Sequence, residues 1–542
     1  MPNRSIGRLV AGVIALYAGA AARAQLSQDQ VLVVYDSRIP DSRAVAEHYA
    51  GSRKVPGGSG NQPGVRPGVW VCDLAATGAS ATAPGNIAYA DFVTRMRDPL
   101  RAFLAGSQLT TRVRCIVLTK GLPHRVQDTD NPNNGDLPGN QPGQFIPELL
   151  ANDATEASVD VELMLLWQNL NAGEAGNSSD SKADGLIVNP YWRNARSINT
   201  YTNQHITSAK TFAGNGVGPT WTLTGTAGSP ARLNQGDIYL VSRLDGDTVA
   251  DVQAALARAQ QVHVNTNTAA VLLDEDGGDL DNIDDVFPAL YAGDDYEQTQ
   301  TALVNDRRFS FAFPSPPANV RYDNASGAAN FFVGPNLAFA PGNGNLVTSP
   351  VILLATYGAN HAGVPTLAAG GSAATVYAAS FNYPNGAVFN TIESYNCRDF
   401  GGLGQLGFAQ QQQAADFIGS GGTFAVGNVW EPLADTVPDN LYLAQNFVLG
   451  NMSWAEAAWT SIPGLSWMQI ALGDPVTRAT RTNEDIDTNN RLTHDDAYAW
   501  ESLASGAAAK DVNRSGAADN ADRALVLASV RAAERVNLTA FR

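Results

Sequence analysis

The sequence predicts an α/β protein, with a mostly parallel sheet that carries helices on both faces, followed by a small all-α C-terminal module. Two observations predict the sheet. Continuously apolar runs such as Val31–Tyr35 and Cys115–Thr119 are typical of strands buried on both faces, and helical patterns separate most of these runs. The small module is predicted by two segments near the end of the chain that are rich in oxygen side chains, each followed by a helical pattern.

The main body is expected to fall into three parts. Residues 25–125 form its first half, residues 126–235 an insertion or irregular subdomain, and residues 236–480 its second half, before the C-terminal module at 483–542. Helical patterns are predicted at 43–51, 88–105, 158–170, 248–260, 296–305, 406–419, 441–449 and 453–461, and strands at 31–35, 69–74, 115–119, 238–244, 269–273, 351–357, 387–393 and 423–427.

The composition excludes some classes of protein. The 542 residues carry a formal net charge of −17 at pH 7, and 44% of them are hydrophobic while 16% are charged. Such a chain is too apolar to be disordered and is long enough for several hydrophobic cores. The acidic balance argues against nucleic acid as a partner, because binding to phosphates needs a basic surface.

The N-terminal residues predict export. Arg4 and Arg8 precede the apolar run Leu9–Ala22, which leads into the small-x-small cleavage pattern Ala22-Arg23-Ala24. We expect residues 1–24 to be a secretory signal peptide, with an uncleaved anchor as the alternative. The run is too short to span a bilayer comfortably, and no later stretch is apolar enough, so no transmembrane segment is expected in the mature chain. The mature protein is therefore expected to be secreted, periplasmic or on the cell surface.

Three cysteines, Cys72, Cys115 and Cys397, are too few for a disulfide framework. Cys72 and Cys115 each lie in a predicted strand, so they are either buried thiols or a disulfide if the two strands are neighbours. Cys397 is then the odd cysteine of an exported protein and needs its own explanation.

Cys397 and His361 are the candidate catalytic residues. In open α/β sheets, ligands bind at the carboxyl ends of the strands. His361 follows the predicted strand 351–357 and Cys397 follows the predicted strand 387–393. A thiolate nucleophile needs a nearby imidazole to lower its pKa and to transfer protons, so the two residues could form a dyad. A chance or vestigial pair is the alternative, because geometry and not chain order makes a dyad.

The order of His361 and Cys397 after consecutive strands resembles the caspase and gingipain clan of cysteine peptidases. The segments Gly421–Gly427 and Leu472-Gly-Asp-Pro475 are similar to the strand and closing turn of gingipain-like domains. The sequence departs from the clan at Ala362, where a glycine is usual, and at Asn396, where a small residue is usual. The resemblance implies a caspase-like body in which Cys397 is the nucleophile and His361 the general base.

A second resemblance covers nearly the whole body. Val31-Leu-Val-Val-Tyr-Asp-Ser37, Ile116-Val-Leu-Thr-Lys-Gly-Leu-Pro123 and Gly427-Asn-Val-Trp-Glu-Pro432 look like an uncharacterised family of exported bacterial proteins. Many members of that family lack a cysteine at the position of Cys397. This resemblance therefore weakens the peptidase interpretation, although it supports an exported α/β body.

The strongest signal lies in two twelve-residue segments, Asp485–Asp496 and Asp511–Asp522. A hard cation such as Ca²⁺ takes roughly six to eight oxygen ligands, and loop positions 1, 3, 5, 7, 9 and 12 can supply them, position 7 through its backbone carbonyl. The candidate calcium ligands are Asp485, Asp487, Asn489, Arg491, Thr493 and Asp496 in the first loop, and Asp511, Asn513, Ser515, Ala517, Asp519 and Asp522 in the second.

Aspartate at position 12, together with the duplication, resembles the dockerin module of secreted bacterial proteins. The resemblance covers about residues 483–542 and implies a calcium-stabilised helical module that docks on a cohesin-type or cell-surface partner. The partner-reading positions would be His494-Asp495 and Asn520-Ala521, and neither pair is the usual pair of small hydroxyl residues. Two functions are therefore expected as alternatives: attachment of the body to a protein scaffold or surface, or secreted cysteine peptidase activity.

Overall fold

The computed structural model of the chain covers the α/β body and the C-terminal module. It describes residues 25–58, 60–127, 157–167, 187–201, 236–265, 268–277, 295–305, 319–402, 411–430, 432, 437–450, 452–465, 467–481, 483–487, 492–513, 515 and 517–534. The predicted signal peptide and most of the predicted insertion at 126–235 lie outside the described residues.

Ten strands of the described residues form one sheet. In chain order they are β1 (Val31–Tyr35), β2 (Trp70–Asp73), β3 (Cys115–Thr119), β4 (Leu240–Leu244), β5 (Ala270–Asp274), β6 (Val320–Asp323), β7 (Val351–Thr356), β8 (Val388–Thr391), β9 (Phe424–Asn428) and β10 (Gln469–Leu472). Their order across the sheet is β6-β5-β7-β8-β9-β10-β4-β3-β1-β2. Four short two-stranded ladders lie outside this sheet.

The sheet is mostly parallel, as the sequence predicts. β10 runs antiparallel to β9, pairing Val426 with Ala471, and meets β4 at one residue pair, Leu472 with Arg243. The β10–β4 pair and the seven other neighbouring pairs of strands are parallel. β1, β2 and β3 of the first half therefore lie on one side of β10 together with β4, and the other strands of the second half lie on the opposite side.

Helices connect the strands. They are α1 (Pro40–Ala50), α2 (Tyr89–Phe92), α3 (Asp98–Gly106), α4 (Val159–Met164), α5 (Val249–Ala259), α6 (Asp295–Asn305), α7 (Ala414–Gly419), α8 (Asn440–Leu443), α9 (Trp454–Ser461), α10 (His494–Ser502) and α11 (Asn520–Glu534). Two π-helical segments, Val93–Arg97 and Ala444–Val448, join α2 to α3 and continue α8. Among the helices described here, none combines the length and apolar character needed to cross a bilayer.

Helices cover both faces of the second half of the sheet. Alternate residues of β5 belong to different hydrophobic clusters: Val271 and Leu273 pack in one, and Ala270 and Leu272 in the other. Successive side chains of a strand point to opposite faces, so the two clusters lie on opposite sides of the sheet. Trp454 of α9 belongs to the first cluster and Phe417 of α7 to the second. The sheet is therefore enclosed, which explains its continuously apolar strands.

Two strands of the ten-stranded sheet were not predicted. β6 has the sequence Val-Arg-Tyr-Asp and lies at the edge of the sheet with three of its four residues partly exposed, so it lacks the apolar run of a central strand. β10 has four residues, all buried, and gives too short a pattern to be recognised. The predicted helix at 406–419 begins in the structure only at Ala414, although residues 403–410 lie outside the described part of the chain.

The cysteines of the first half do not form a disulfide. Cys72, in β2, and Cys115, in β3, are both buried free thiols. Strand β1 lies between β2 and β3, so the two strands are not neighbours. The alternative of buried thiols is the one that the structure has.

The C-terminal helices have a hydrophobic core of their own. α10 and α11 pack against each other around a small buried cluster that consists of Leu492, Ala497, Trp500, Val512, Val526 and Val530. This part of the chain also contacts the body, because the Asn265 side chain donates a hydrogen bond to the Asp485 carbonyl at 2.9 Å.

Candidate functional site

Loops from both halves of the body meet at one edge of the sheet. Lys120, which follows β3, donates hydrogen bonds from Nζ to the Gly246 carbonyl at 2.7 Å and to the Phe400 carbonyl at 3.0 Å. The residues after β3, β4 and β8 are therefore in direct contact. Cys397 joins the same region, because its N–H donates to the Asn428 carbonyl at the end of β9, at 3.0 Å. We call this region the carboxyl edge.

A buried ion pair lies at the carboxyl edge. Arg243, in β4, donates from Nη2 to Asp160 Oδ2 at 2.6 Å, and neither side chain is exposed to solvent. The Arg243 guanidinium also donates to the carbonyls of Leu122 and Pro123, at 3.2 and 2.9 Å. Burial raises the pKa of Asp160, although the Arg243 charge opposes this. The pair joins α4 to β4 and to the turn after β3.

A second buried pair accompanies the first. Lys120 Nζ lies 3.4 Å from Asp245 Oδ1, and both side chains are 2% exposed. Burial raises the pKa of Asp245 to about 6, opposed mainly by the Lys120 charge. With its carbonyl partners and the Asp245 carboxylate, the Lys120 ammonium uses all of its hydrogen-bond donors. The partners of these buried charges are carbonyls and carboxylates of other loops, so the interactions hold the loops of the carboxyl edge together.

His124 adds a neutral imidazole to the carboxyl edge. Its Nε2 lies 2.8 Å from the Arg398 carbonyl, which can only accept, so Nε2 carries the proton. Burial, together with the nearby Arg125 charge, holds the pKa of His124 well below its usual value. His124 therefore contributes a hydrogen bond between the loops after β3 and β8, and no charge.

Cys397 is fully buried at this edge. Burial, followed by the charge of Asp160, raises the pKa of its thiol well above the usual value. Gly427 of β9 makes room for the sulfur, since a Cβ on Gly427 would lie 2.5 Å from Cys397 Sγ. A nucleophilic cysteine needs the opposite environment, partly exposed and electropositive, in which the thiolate is favoured.

His361 lies after β7, the strand beside β8, but in different surroundings. Its Nδ1 is 3.1 Å from the Ala362 carbonyl, and its ring contacts the Phe331 ring edge to face at 5.2 Å. Burial lowers the pKa of His361, with Asp276 as the main opposing charge. Within the described residues, Nε2 is buried and makes no hydrogen bond. No hydrogen bond therefore joins the imidazole to the Cys397 thiol, and the dyad stays a prediction.

Glu393 and Asp399 are the carboxylates that flank Cys397 in the sequence after β8, where a residue that orients His361 could lie. Glu393 is fully buried and accepts hydrogen bonds from the Ala359 N–H at 2.8 Å and from the Tyr377 hydroxyl at 2.8 Å. Asp399 lies 3.7 Å from Arg398 Nε. Glu393 thus ties the turn after β7 to the turn after β8, so these turns are positioned relative to each other without a contact between His361 and Cys397.

The first C-terminal loop brings three carboxylates together. One oxygen from each of Asp485, Asp487 and Asp496 lies within 4.8 Å of the others. Asp496 accepts backbone N–H bonds from Ile486 at 2.7 Å, from Asp487 at 3.3 Å and from Thr493 at 2.8 Å. Burial raises the pKa of Asp496, and the Asp487 carboxylate is one of the charges that raise it further. A bound cation would relieve this repulsion, so the donor set fits a hard divalent ion.

The second loop repeats these hydrogen bonds. Asp522 accepts the N–H groups of Asn513 at 3.0 Å and of Asp519 at 2.8 Å, at the same loop positions as Asp487 and Thr493 in the first loop. Asp511 Oδ1 and Asn513 Oδ1 both accept the Ser515 N–H, at 2.9 and 2.8 Å, which brings the oxygens of positions 1 and 3 together.

Three other candidate ligands, Thr493, Ser515 and Ala517, lie in the described part of the two loops. The Ser515 hydroxyl donates to the Ala517 carbonyl at 3.1 Å, which places positions 5 and 7 side by side. The Thr493 side chain caps the N-terminus of α10 by accepting from Asp495 N–H. Asn489 and Arg491 lie outside the described residues.

The buried pairs at the carboxyl edge were not predicted from the sequence. Asp160 pairs with Arg243, whereas Arg193 Nε lies 3.0 Å from Asp439 Oδ2. Arg243 lies inside an apolar strand pattern, 83 residues from its partner. A charged residue in the middle of such a strand is the one local signal that could have indicated a buried pair.

Comparison with models of protein families, with curated proteins and with solved structures finds no match for this chain. The class of protein that the fold defines is an α/β protein with one large, mostly parallel sheet. Any more specific statement rests on the chemistry of its own residues.

Proposed function

We propose that the protein is an exported protein whose C-terminal module binds Ca²⁺ and attaches the α/β body to a partner protein on a scaffold or cell surface. The observation that carries this proposal is the repetition of the same backbone hydrogen bonds at Asp496 and Asp522. The resemblance of residues 483–542 to dockerins gives the proposal its partner class, a cohesin-type domain.

The repetition favours a pair of ion-binding loops and argues against the alternative, an acidic stretch that arose by chance composition. Asp496 and Asp522 each close a twelve-residue loop by accepting N–H groups from the third and ninth loop residues. These carboxylates are thereby held in place at the base of helices α10 and α11. A carboxylate held by its own loop can ligate an ion at little further cost in side-chain entropy.

The small size of the hydrophobic core supports a stabilising ion. The cluster between α10 and α11 has six buried residues, and small cores of this kind usually need a metal or a disulfide for stability. The three cysteines are all free thiols in the body, so disulfides do not serve this purpose. Ion binding by the two loops would stabilise the folded module by mass action.

The first residues of the two helices offer a surface for the partner. His494 and Asp495 begin α10 with side chains that are 51% and 63% exposed. Asn520 and Ala521 are exposed at the corresponding place in α11. The two pairs thus have equivalent positions in the repeat. Their imidazole, carboxylate and amide groups would select a partner surface with complementary hydrogen-bonding groups rather than a purely apolar one.

Hydrogen exchange of the full chain with Ca²⁺, with Mg²⁺ and with a chelator tests the ion binding. We expect Ca²⁺ to slow exchange across α10 and α11, and Mg²⁺ to have a smaller effect, since it demands a stricter octahedral geometry. Asp496→Asn should weaken this protection, because it replaces a carboxylate oxygen of the first loop. Asp495→Asn is the matched control: its side chain is exposed, and its carboxylate accepts none of the loop N–H groups described above. Equal exchange with Ca²⁺ and with chelator would refute the proposal.

Binding of the full chain to an immobilised cohesin-type domain tests attachment. We expect binding that requires Ca²⁺, that Asp496→Asn weakens, and that a double substitution of His494 and Asp495 by Ala weakens without loss of Ca²⁺-dependent protection. Binding that the chelator leaves unchanged would contradict calcium-dependent docking even where the loops bind the ion.

A further inference from the structure

An open cleft, lined by no residue of the C-terminal loops, lies at the carboxyl ends of β1 and β2. It has a volume of about 400 Å³, within the range of roughly 300–1,000 Å³ typical of small-molecule sites. Its walls come from the sheet, from the chain after β2 and from α3, and most of them are apolar: Pro56, Val71, Ala76, Pro99, Ala102 and Phe103.

Two polar side chains lie together in this cleft. Tyr35 and Asp73, the last residues of β1 and β2, are direct neighbours in the parallel register. Residues paired in this way point to the same face of a sheet, and α3 covers that face through Phe103. The sheet thus presents a phenol and a carboxylate side by side among apolar walls.

Among the described residues, none forms a hydrogen bond with the Tyr35 hydroxyl. Tyr35 is 0% exposed, and its hydroxyl oxygen is buried without a partner in the described part of the chain. A buried polar group without a partner costs about 1–3 kcal/mol. A ligand atom that accepts a hydrogen bond from this hydroxyl would offset that cost. If the tyrosine had only a structural role, nothing would offset it.

Asp73 keeps one oxygen available. Its Oδ1 accepts the N–H groups of Ser37 and Ala75, both at 3.0 Å, and Oδ2 takes part in neither bond. The nearby Asp36 carboxylate is paired with Arg38. In the described part of the chain, Asp73 Oδ2 therefore remains as an acceptor, on the residue paired with Tyr35 in the wall of the cleft.

We propose that this cleft binds a small, mainly apolar molecule through a hydroxyl group that donates to Asp73 Oδ2 and accepts from the Tyr35 hydroxyl. A hydroxyl group matches both residues because it is a donor and an acceptor at once. An ammonium group could only donate, so it would leave the Tyr35 proton unsatisfied. An alkyl group would satisfy neither residue. The apolar body of the ligand would lie against Val71, Ala102 and Phe103.

Three matched probes test the proposal on the full chain by calorimetry: 1-naphthalenemethanol, 1-methylnaphthalene and 1-naphthalenemethylamine. We expect the alcohol to bind roughly five- to tenfold more tightly than the hydrocarbon, the worth of about one hydrogen bond. Tyr35→Phe should reduce this ratio and leave hydrocarbon binding unchanged. Because the hydroxyl has no partner to lose, this variant should be at least as stable as the wild type.

Ala102→Trp should abolish binding of the alcohol by filling the cleft, since Ala102 lines it and is exposed. Ala105→Trp is the matched control, on an exposed residue of the same helix that is not part of the wall. Equal binding of alcohol and hydrocarbon, tighter binding of the amine, or no binding of any probe would each overturn the proposal. None of these outcomes bears on calcium binding by the C-terminal loops.

Discussion

Glu393 is expected to make the stability of the body depend on pH. Its carboxyl is fully buried at the turn after β8, where it accepts the N–H groups of Ala359 and Gln412 and the Tyr377 hydroxyl. Burial raises its pKa from the usual 4.5 to about 7, although the backbone donor at Ala359 opposes the rise. The folded protein therefore keeps a proton on Glu393 over a range of pH in which the unfolded chain has released it.

The sign and size of the effect follow from this difference. A carboxyl with a raised pKa in the folded state contributes most stability below pH 4.5, and this contribution is lost as the pH rises through about 7. A rise from 4.5 to about 7 corresponds to about 3 kcal/mol of unfolding free energy across that window. Glu393→Gln keeps the shape of the protonated side chain and cannot ionise, so this part of the pH dependence should disappear.

Denaturant unfolding of the two proteins at several pH values, followed by tryptophan fluorescence, measures the effect. The unfolding free energy of Glu393→Gln minus that of the wild type should become more positive by about 3 kcal/mol from acid to neutral pH, because only the wild type loses stability over that range. Taking the difference cancels other buried carboxyls, such as Asp245, that titrate in both proteins. Glu501→Gln is the control, because that side chain is half exposed. A difference between Glu393→Gln and wild type that does not change with pH would refute the reasoning.

Three further predictions concern the carboxyl edge. Arg243→Met should lower the unfolding free energy by about 3–5 kcal/mol, because it leaves the buried Asp160 charge unpaired, and adding Asp160→Leu in the same chain should restore part of the loss in denaturant unfolding. Gly427→Ala should destabilise the body by about 1–3 kcal/mol, since the new Cβ would collide with Cys397 Sγ. A melting temperature equal to that of the wild type would contradict this packing. A maleimide should label Cys397 in the folded protein far more slowly than in the unfolded protein; rapid labelling that requires His361 would instead support the peptidase hypothesis.

Much of the fold could be predicted because its signals are local. β1, β3 and β7 are each a continuous apolar run, since both of their faces are covered, and each was predicted to within a residue or two. β6 was missed because an edge strand keeps polar residues, and β10 because four residues carry little pattern. The antiparallel direction of β10 depends on how the two halves of the body join, which no local pattern records.

The candidate sites divide in the same way. The cluster of Asp485, Asp487 and Asp496 could be predicted because its oxygen side chains fall within twelve consecutive residues, so spacing along the chain largely determines their spacing in the folded loop, whereas ion binding stays a prediction. Chain order also predicted that His361 and Cys397 follow adjacent strands. It could not predict that Cys397 is buried near the charges of Arg243 and Asp160, or that His361 packs against Phe331. Those neighbours come from other parts of the chain.

By itself, the sequence determined which segments alternate as strands and helices and where oxygen side chains recur near the end of the chain. Both depend on interactions between residues that are close in sequence. The tertiary structure alone decided which charges are buried in pairs, that the thiols are shielded from solvent, and which phenol beside Asp73 has no hydrogen-bond partner among the described residues. These properties depend on burial, and burial at the carboxyl edge arises only when loops from both halves of the body close over the same strands.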